Sequence, residues 1–453
     1  MLATLGGDAL GSVVIFVPRD DLLPAALSCK PLATVCKARA DREREKDGPR
    51  WITAATSTLA RMKWAVLDMQ AFIPQSWCAA LARRGDKRLL CYMLSDIEWE
   101  SPDLSQDETV CAAAAAAGHV GLLEWLHFEK AAAWDNITVL QEAAAGGHLT
   151  VLRRLCPFIL QREFASVEDS QRAIQAMASS HGHLHILQWM HGQMDGEGPP
   201  TPWGVLCCAL AAANGQIAVL QWLRSLQPLP CPWGEFVCMR AAAGGHLATL
   251  QWLRSQGCPW DMERCMCGAA ESGCLTMLQW MRSQGCPWSE PISERAARGG
   301  HLAILQWLRS QGCPWNASAC MGAAAESGCL TMLQWLRSQG CPWDASACMG
   351  AAHKGHLTIL QWLRSQGCPW DASACLVAVQ HGHLATLQWL HSQGCPWHGD
   401  ECSSAALNGG LVMLKWLRSP ERNPPCPWNK AQCIAEAENW NRTAVVEWIR
   451  AQP

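Results

Sequence analysis

From about residue 70 onward the apolar positions follow one rule. In Leu357-Thr-Ile-Leu-Gln-Trp-Leu363 the residues Leu357, Leu360, Trp362 and Leu363 fall at i, i+3, i+5 and i+6, with Gln361, Arg364 and Ser365 on the wetter side. That spacing predicts a helix with a broad apolar stripe. The stretch before it, Ala345–His353, is dense in Ala and other small residues, with Asp344 placed as an N-cap and Gly355 as a helix-ending C′ residue. A second short helix is therefore predicted there. Gly340-Cys341-Pro342-Trp343 links one helix pair to the one before it, because Gly ends a helix and Pro cannot continue one. Two helices of about ten residues bury too little to stand alone, so the pattern demands neighbours that stack.

Those neighbours are copies of the same unit. The motif GHLxxLQWLRSQGCPWxxxxC recurs, placing its helix tryptophan at Trp189, Trp222, Trp252, Trp280, Trp307, Trp335, Trp362, Trp389, Trp416 and Trp448. From Trp252 to Trp416 the steps are 28, 27, 28, 27, 27 and 27 residues; nearer the N-terminus they are longer and less regular. Tyr92, Trp125 and Arg154 occupy the same slot upstream, which gives thirteen units. The expected fold class is all-α, a solenoid of about 13 helix-turn-helix repeats with a small N-terminal helical domain. A leucine-rich repeat has a compatible period but needs a strand in its LxxLxLxxN/CxL motif, where this chain has a Leu-rich helix after an Ala-rich one.

Composition adds two constraints. The 26 Trp against 6 Phe and 1 Tyr record one motif copied many times. The 26 Cys sit at a repeating spacing inside predicted helices and links, which suits buried thiols in a reducing compartment; cytoplasm, with the nucleus also open, is the expected location. A net charge of -3 lacks the basic excess that phosphate contacts need, so no nucleic acid is expected as a partner. Ala9–Val17 is apolar, but a basic n-region is missing and Asp8 precedes it, so a signal peptide is the lesser reading. No run reaches the ~18 apolar residues of a membrane span, so no membrane partner is expected.

Repetition turns each motif residue into a column. The LQWL tryptophans read as core residues replacing leucine. The link tryptophans Trp233, Trp260, Trp288, Trp315, Trp343, Trp370, Trp397 and Trp428 read as wedges between units, more exposed than the first column. Cys pairs spaced C-x6-C, such as Cys341/Cys348 and Cys368/Cys375, lack the tight spacing and four converging ligands of a structural zinc site, so no metal and no cofactor is assigned. His119, His148, His183, His246, His301, His356 and His383 form a column at the inter-helix turn. Arg224, Arg254, Arg282, Arg309, Arg337, Arg364, Arg418 and Arg450 read as a solvated basic stripe. Where copies differ, the first helix offers different chemistry: Met262, Glu263, Arg264, Glu290, Glu294, Lys354, Asp400 and Glu401 are the candidate partner-binding positions. No phosphate loop, spaced acid pair or nucleophile with an orienting base assembles, so the chain is not expected to be an enzyme.

Ala351-Ala352-His353-Lys354-Gly355-His356-Leu357 resembles the helix junction of the ankyrin repeat, with Trp362-Leu363 standing where that family has paired leucines. The resemblance covers residues 70–453 and implies an ankyrin-type solenoid that binds a protein, and it implies that the His column hydrogen-bonds neighbouring backbone. The units here are shorter than the ~33 residues of the family. They omit the segment that forms its hairpin finger.

Residues 1–51 do not follow the repeat, and 52–69 read as a linker. Leu5, Asp8 and Leu10, then Val13-Val14, Phe16-Val17-Pro18, Asp21-Leu22-Leu23, Cys29-Lys30 and a late Trp51 resemble an F-box. The resemblance implies docking through Leu5, Leu10, Val14, Phe16, Leu22 and Leu23 onto a Skp-family adaptor of a cullin-RING ubiquitin ligase, with the array as substrate receptor. The alternative is a plain ankyrin scaffold whose N-terminal segment merely caps the first repeat. A metal- or redox-responsive Cys array is a third reading.

Overall fold

The computed structural model describes residues 75–95, 108–130, 132–160, 167–193, 203–227, 230–408, 410–419 and 426–452. Among them there are 26 α-helices and no strand, and the helices alternate as thirteen successive pairs. The fold is a helical-repeat solenoid. No helix of the described residues is long and apolar enough to cross a membrane.

Two compact units divide the chain: the described residues up to Ala211 with Ala218–Pro232, and Ala212–Ile217 with those from Trp233 onward. In the first run α1 Gln75–Arg84, α2 Lys87–Ser95, α3 Thr109–Ala116, α4 Val120–Glu124, α5 Asn136–Ala145, α6 Leu149–Leu160, α7 Val167–His181 and α8 Leu184–Gln193, then α9 Val205–Ala213, whose last residues belong to the second unit, and α10 Ile217–Ser225. A π-helical turn, Trp125–Glu129, extends α4. Here the motif tryptophan Trp125 is buried, as a core residue should be.

The second unit holds α11 Glu235–Ala243, α12 Leu247–Ser255, α13 Met262–Glu271, α14 Leu275–Ser283, α15 Glu290–Arg298, α16 Leu302–Ser310, α17 Ala317–Glu326 and α18 Leu330–Ser338. It continues with α19 Ala345–His353, α20 Leu357–Ser365, α21 Ala372–Gln380, α22 Leu384–Ser392, α23 Glu401–Leu407, α24 Leu411–Leu417, α25 Lys430–Asn439 and α26 Thr443–Arg450. Odd-numbered helices pack on one another and each carries its even-numbered partner on one side, as α19 does with α17, α21 and α20. Small side chains permit this: α19 buries Ala347, Cys348, Ala351 and Ala352, and α20 buries Ile359, Leu360 and Leu363 against it. Each fully buried Leu or Ile is worth about 1.5–3 kcal/mol, which such short helices need from their neighbours.

Both ends of each pair are fastened locally. Asp344 and Asp371 cap the odd-numbered helices by accepting from the backbone N–H of Ser346 and Ser373 at 3.0 and 2.9 Å. At the inter-helix turn the His356 N–H reaches Ala351 O and the Gly355 N–H reaches Ala352 O; after α20 the Cys368 and Gly367 N–H groups close on Leu363 O and Arg364 O. Both are Schellman turns, and both need a residue in the left-handed region: Gly355 has φ +71° and Gly367 φ +78°.

The histidine column ties each repeat to the one before. A helix C-terminus leaves carbonyls without a partner, and the Nε2–H of His301, His356 and His383 donates to Glu271 O, Glu326 O and His353 O at 3.0–3.1 Å. His148 and His183 do the same to Ala116 O and Ala145 O in the first unit. Where the histidine is replaced, other donors appear: Asn408 and Arg442 reach the equivalent carbonyls, Gln380 O and Leu407 O, and Ser272 reaches Ala242 O, one residue before the equivalent position. His, Asn and Arg meeting one requirement mark it as a backbone need, and the column as structural.

Candidate functional site

The arginine and tryptophan columns of the second unit meet in one repeated arrangement. Arg337, near the end of α18, folds back so that its guanidinium lies 4.4 Å from the ring centre of the link tryptophan Trp343. Arg364 lies 3.9 Å from that of Trp370, and Arg254, Arg282 and Arg309 stand over Trp260, Trp288 and Trp315 at 4.6, 4.3 and 4.1 Å. The same guanidinium groups donate to the link cysteine carbonyl, Arg337 to Cys341 O and Arg364 to Cys368 O at 2.7 Å. Most link tryptophans then meet the helix tryptophan that follows edge to face, Trp343 with Trp362 at 5.8 Å and Trp370 with Trp389 at 5.9 Å, while Trp260 meets Trp280 at a tilt and Trp397 stacks on His391. So Trp343 bridges Arg337 of one repeat and Trp362 of the next, the wedge expected of it.

Two expectations are corrected by this geometry. The helix tryptophans of the second unit do not sit in the core: Trp252, Trp280, Trp307, Trp335, Trp362, Trp389 and Trp416 are half-buried, as are the link tryptophans, while Leu250, Leu253, Leu360 and Leu363 are fully enclosed. The ring lies at the edge of the helical stripe, where it pairs with another ring. Nor are Arg254, Arg282, Arg309, Arg337 and Arg364 a simple solvated stripe. Arg254 and Arg364 are half-buried and Arg282, Arg309 and Arg337 exposed, yet all five are stacked on a link tryptophan and hydrogen-bonded, and no ion pair among the described residues includes them.

The charges of this region are segregated. The six helix-plus-link segments 247–260, 275–288, 302–315, 330–343, 357–370 and 384–397 contain no Asp or Glu at all. Every acidic residue between 247 and 397 lies on an odd-numbered helix or its N-cap: Asp261, Glu263, Glu271, Glu290, Glu294, Glu326, Asp344 and Asp371. One side of the repeats is thus basic and aromatic and the other mixed and acidic. A net charge summed over the chain conceals this.

The copy-specific positions fall on the odd-numbered helices, mostly in view of solvent. Met262 is 40% exposed at the start of α13, beside exposed Glu263 and Arg264, and Phe236 in the preceding odd-numbered helix is 47% exposed. Glu290, Lys354 and Asp400 are exposed and Glu294 half-buried. Glu294 joins a line of charged groups across successive repeats: it pairs with Arg298 at 2.7 Å, Arg298 with Glu326 at 3.4 Å, and Glu326 faces His353 Nδ1 at 3.0 Å. The His353 ring in turn contacts His381 at 4.0 Å between centres. Residue Glu401 leaves the candidate surface, being 0% exposed. Its carboxylate accepts from the backbone N–H groups of His398 and Gly399 at 2.6 and 2.8 Å and folds the link before α23.

The cysteines are mostly buried, and they associate differently from the C-x6-C spacing. The odd-helix thiol meets the link thiol of the following repeat: Cys208 donates to Cys231 Sγ at 3.2 Å, and Cys348 and Cys375 pair in the same way with Cys368 and Cys395. That hydrogen bond first, and burial second, hold Cys348 and Cys375 far above the ordinary thiol range, while burial pushes Cys265 and Cys320 up to about 12. Ser293 takes the cysteine's place in one copy and donates to Pro314 O. No group of three or more metal-ligating side chains converges among the described residues. With a maleimide reagent at pH 8, mass spectrometry of the native protein should find half-exposed Cys274 and Cys329 labelled, and Cys265, Cys320, Cys348 and Cys375 labelled only after denaturant. Rapid native labelling of the latter four would mean that the repeats open far more readily than their packing implies.

The F-box-like positions Leu5, Leu10, Val14, Phe16, Leu22 and Leu23 lie outside the described residues. No family model matches the chain, and no curated protein matches it. Among solved structures, it is similar to the pentatricopeptide repeat protein PPR10 from maize, with 13% identity and a TM-score of 0.30 over 98% of this chain and 72% of that one. The likeness is one of helical-repeat architecture. The expectation that no nucleic acid is a partner does not stand, because a net charge of -3 is no ground for setting nucleic acid aside. The physical reason is the segregation above, since a ligand meets one face and not the sum of all charges.

Proposed function

We propose that this chain is a non-catalytic receptor that holds a partner protein on the exposed positions of its odd-numbered helices, and that its N-terminal segment couples the array to a cullin-RING ubiquitin ligase. The observation that carries the receptor reading is the division of labour within each repeat. The buried Ala, Cys and Leu positions are nearly constant from copy to copy, whereas Met262-Glu263-Arg264, Glu290, Lys354 and Asp400 change both charge and shape on an exposed face. A surface that varies over a constant frame is what recognition of one particular protein requires.

The ankyrin likeness is supported by the Ala-Ala-x-x-Gly-His-Leu junction and by histidines that bridge consecutive repeats. The ligase link rests on Leu5, Leu10, Val14, Phe16, Leu22 and Leu23 as an F-box-like set of apolar side chains of the kind that docks on an adaptor. A plain ankyrin scaffold without that link is the competing reading. A cytoplasmic location follows from a thiol-rich chain that needs a reducing compartment.

Purified Skp-family adaptor mixed with the full-length chain decides between them. Capture by the wild type, lost in Leu10→Asp/Leu22→Asp while circular dichroism stays helical, is the expected result. A folded wild-type chain that captures no adaptor leaves the scaffold without a ligase.

A further inference from the structure

We propose that the even-helix face of the second unit is a docking surface for an extended acidic peptide, a partner segment with a carboxylate at about every third residue. This goes beyond the receptor reading above, which concerns the odd-numbered helices, and stands whether or not an adaptor binds.

Three observations carry it. Arg254, Arg282, Arg309, Arg337 and Arg364 form a row of solvent-accessible cations without a carboxylate partner among the described residues, Arg254 and Arg364 half-buried and the other three exposed, on segments that contain no acidic residue. Exposure leaves the row open to a ligand, and at Arg254 and Arg364 a cation held partly out of water favours an anion more than a fully solvated one does. The second is pre-organisation: stacking on the link tryptophan and the bond to the link carbonyl fix each guanidinium before any ligand arrives, so little side-chain entropy remains to be lost. Only NH1 is used in the bonds to Cys341 O and Cys368 O, and the guanidinium carries further N–H donors that suit a carboxylate.

The third is spacing. One guanidinium recurs per repeat, and packed helices stand about 8–10 Å apart. An extended chain advances about 3.3 Å per residue, so every third side chain comes into register with the next arginine. This is a sparse row of charge. A nucleic-acid strand presents phosphates more densely and gains most from open aromatic faces on which bases stack. Here Trp260, Trp288, Trp315, Trp343 and Trp370 already lie under a guanidinium and against a second ring. The flanking exposed residues, such as Gln361, Ser365 and Gln366, are neutral hydrogen-bonding groups suited to a peptide backbone.

The test uses the full-length chain and fluorescent peptides of roughly fifteen residues built from Glu-Gly-Ser, the length that spans this row. Fluorescence anisotropy should show the spaced peptide binding at least about fivefold tighter than a peptide of the same composition with its glutamates in one block. The Gln-Gly-Ser version should not bind. Arg309→Gln/Arg337→Gln should weaken the spaced peptide by about tenfold with the helical signal retained. The comparison of peptides on wild-type protein needs no variant, so it decides the matter even if the double substitution disturbs the fold. Equal binding of spaced and blocked peptides, no binding of either, or a folded double variant that binds as well as wild type would each overturn the proposal. So would an oligothymidylate of similar length binding in preference to the spaced peptide, which would reassign the face to nucleic acid.

Discussion

Replacing Gly350 with alanine should destabilise the middle of the second unit by about 1–3 kcal/mol, although it adds a single methyl group to a helix that otherwise favours alanine. A Cβ on Gly350 would stand 2.3 Å from Gly322 O and 3.3 Å from the Glu326 backbone nitrogen. Those atoms are backbone, so no rotamer change relieves the clash and α19 must move away from α17. The two helices are buried on each other through Ala323, Ala324, Ala347 and Ala351, so the displacement loosens contacts well beyond the substituted residue. An array of repeats need not unfold in one step. The informative measurement is hydrogen exchange over Ala317–Glu326 and Ala345–His353, where protection should fall while that of α25 is unchanged. Gly192→Ala is the control. It lies in α8 with nothing within 4 Å of the added atom, and should be neutral or stabilising by up to about 1 kcal/mol. Unaltered protection in Gly350→Ala would mean that the close approach of α17 and α19 is not required.

Leu363→Ala should cost about 2–5 kcal/mol and Trp362→Ala less, about 1–3 kcal/mol, despite the larger side chain of the tryptophan. Leu363 is 0% exposed, and truncating it leaves a cavity between α19 and α20 that a rigid stack cannot close. Trp362 is half-buried and meets Trp343 edge to face, so its loss removes a ring contact and some covered area without opening the core. The order of the two effects, read from urea midpoints of otherwise identical proteins, separates them. A larger loss for Trp362→Ala would show that the ring column, not the leucines, holds the repeats together. Should both be small, the repeat's stability would have to come from its neighbours alone.

The ring column shows how far periodicity could be read. Spacing placed Trp362 and Leu363 together in one stripe, and a stripe does not reveal how far a neighbouring helix covers its edges. The cysteines make the same point. Cys341 and Cys348 look paired because only six residues separate them, yet Cys348 meets Cys368 of the following repeat. Arg337 is exposed, as its column was read, but its stacking was not legible because nothing along the chain indicated that the link would bring Trp343 beneath it. Glu401, one of the copy-specific positions, turned inward to hold the backbone of its own link. Among the candidate positions, Met262, Glu263, Arg264, Glu290, Lys354 and Asp400 are at the surface, as copy-to-copy variation over a constant frame implies.

By itself the sequence determined the helices, their ends and the number of repeats, because these depend on interactions within a few residues. An Asp or Asn ahead of a small-residue helix caps it, and a glycine that can take positive φ closes each Schellman turn. An apolar stripe of helical period selects the buried face, and copying the unit does the rest. Only the tertiary structure decided what each column faces: tryptophan on tryptophan, arginine on tryptophan, thiol on thiol, and basic and acidic groups on opposite sides of the stack. Those outcomes depend on where the next repeat arrives in space, and that is set by close backbone approach at Gly350 and by histidine bridges to carbonyls about thirty residues away.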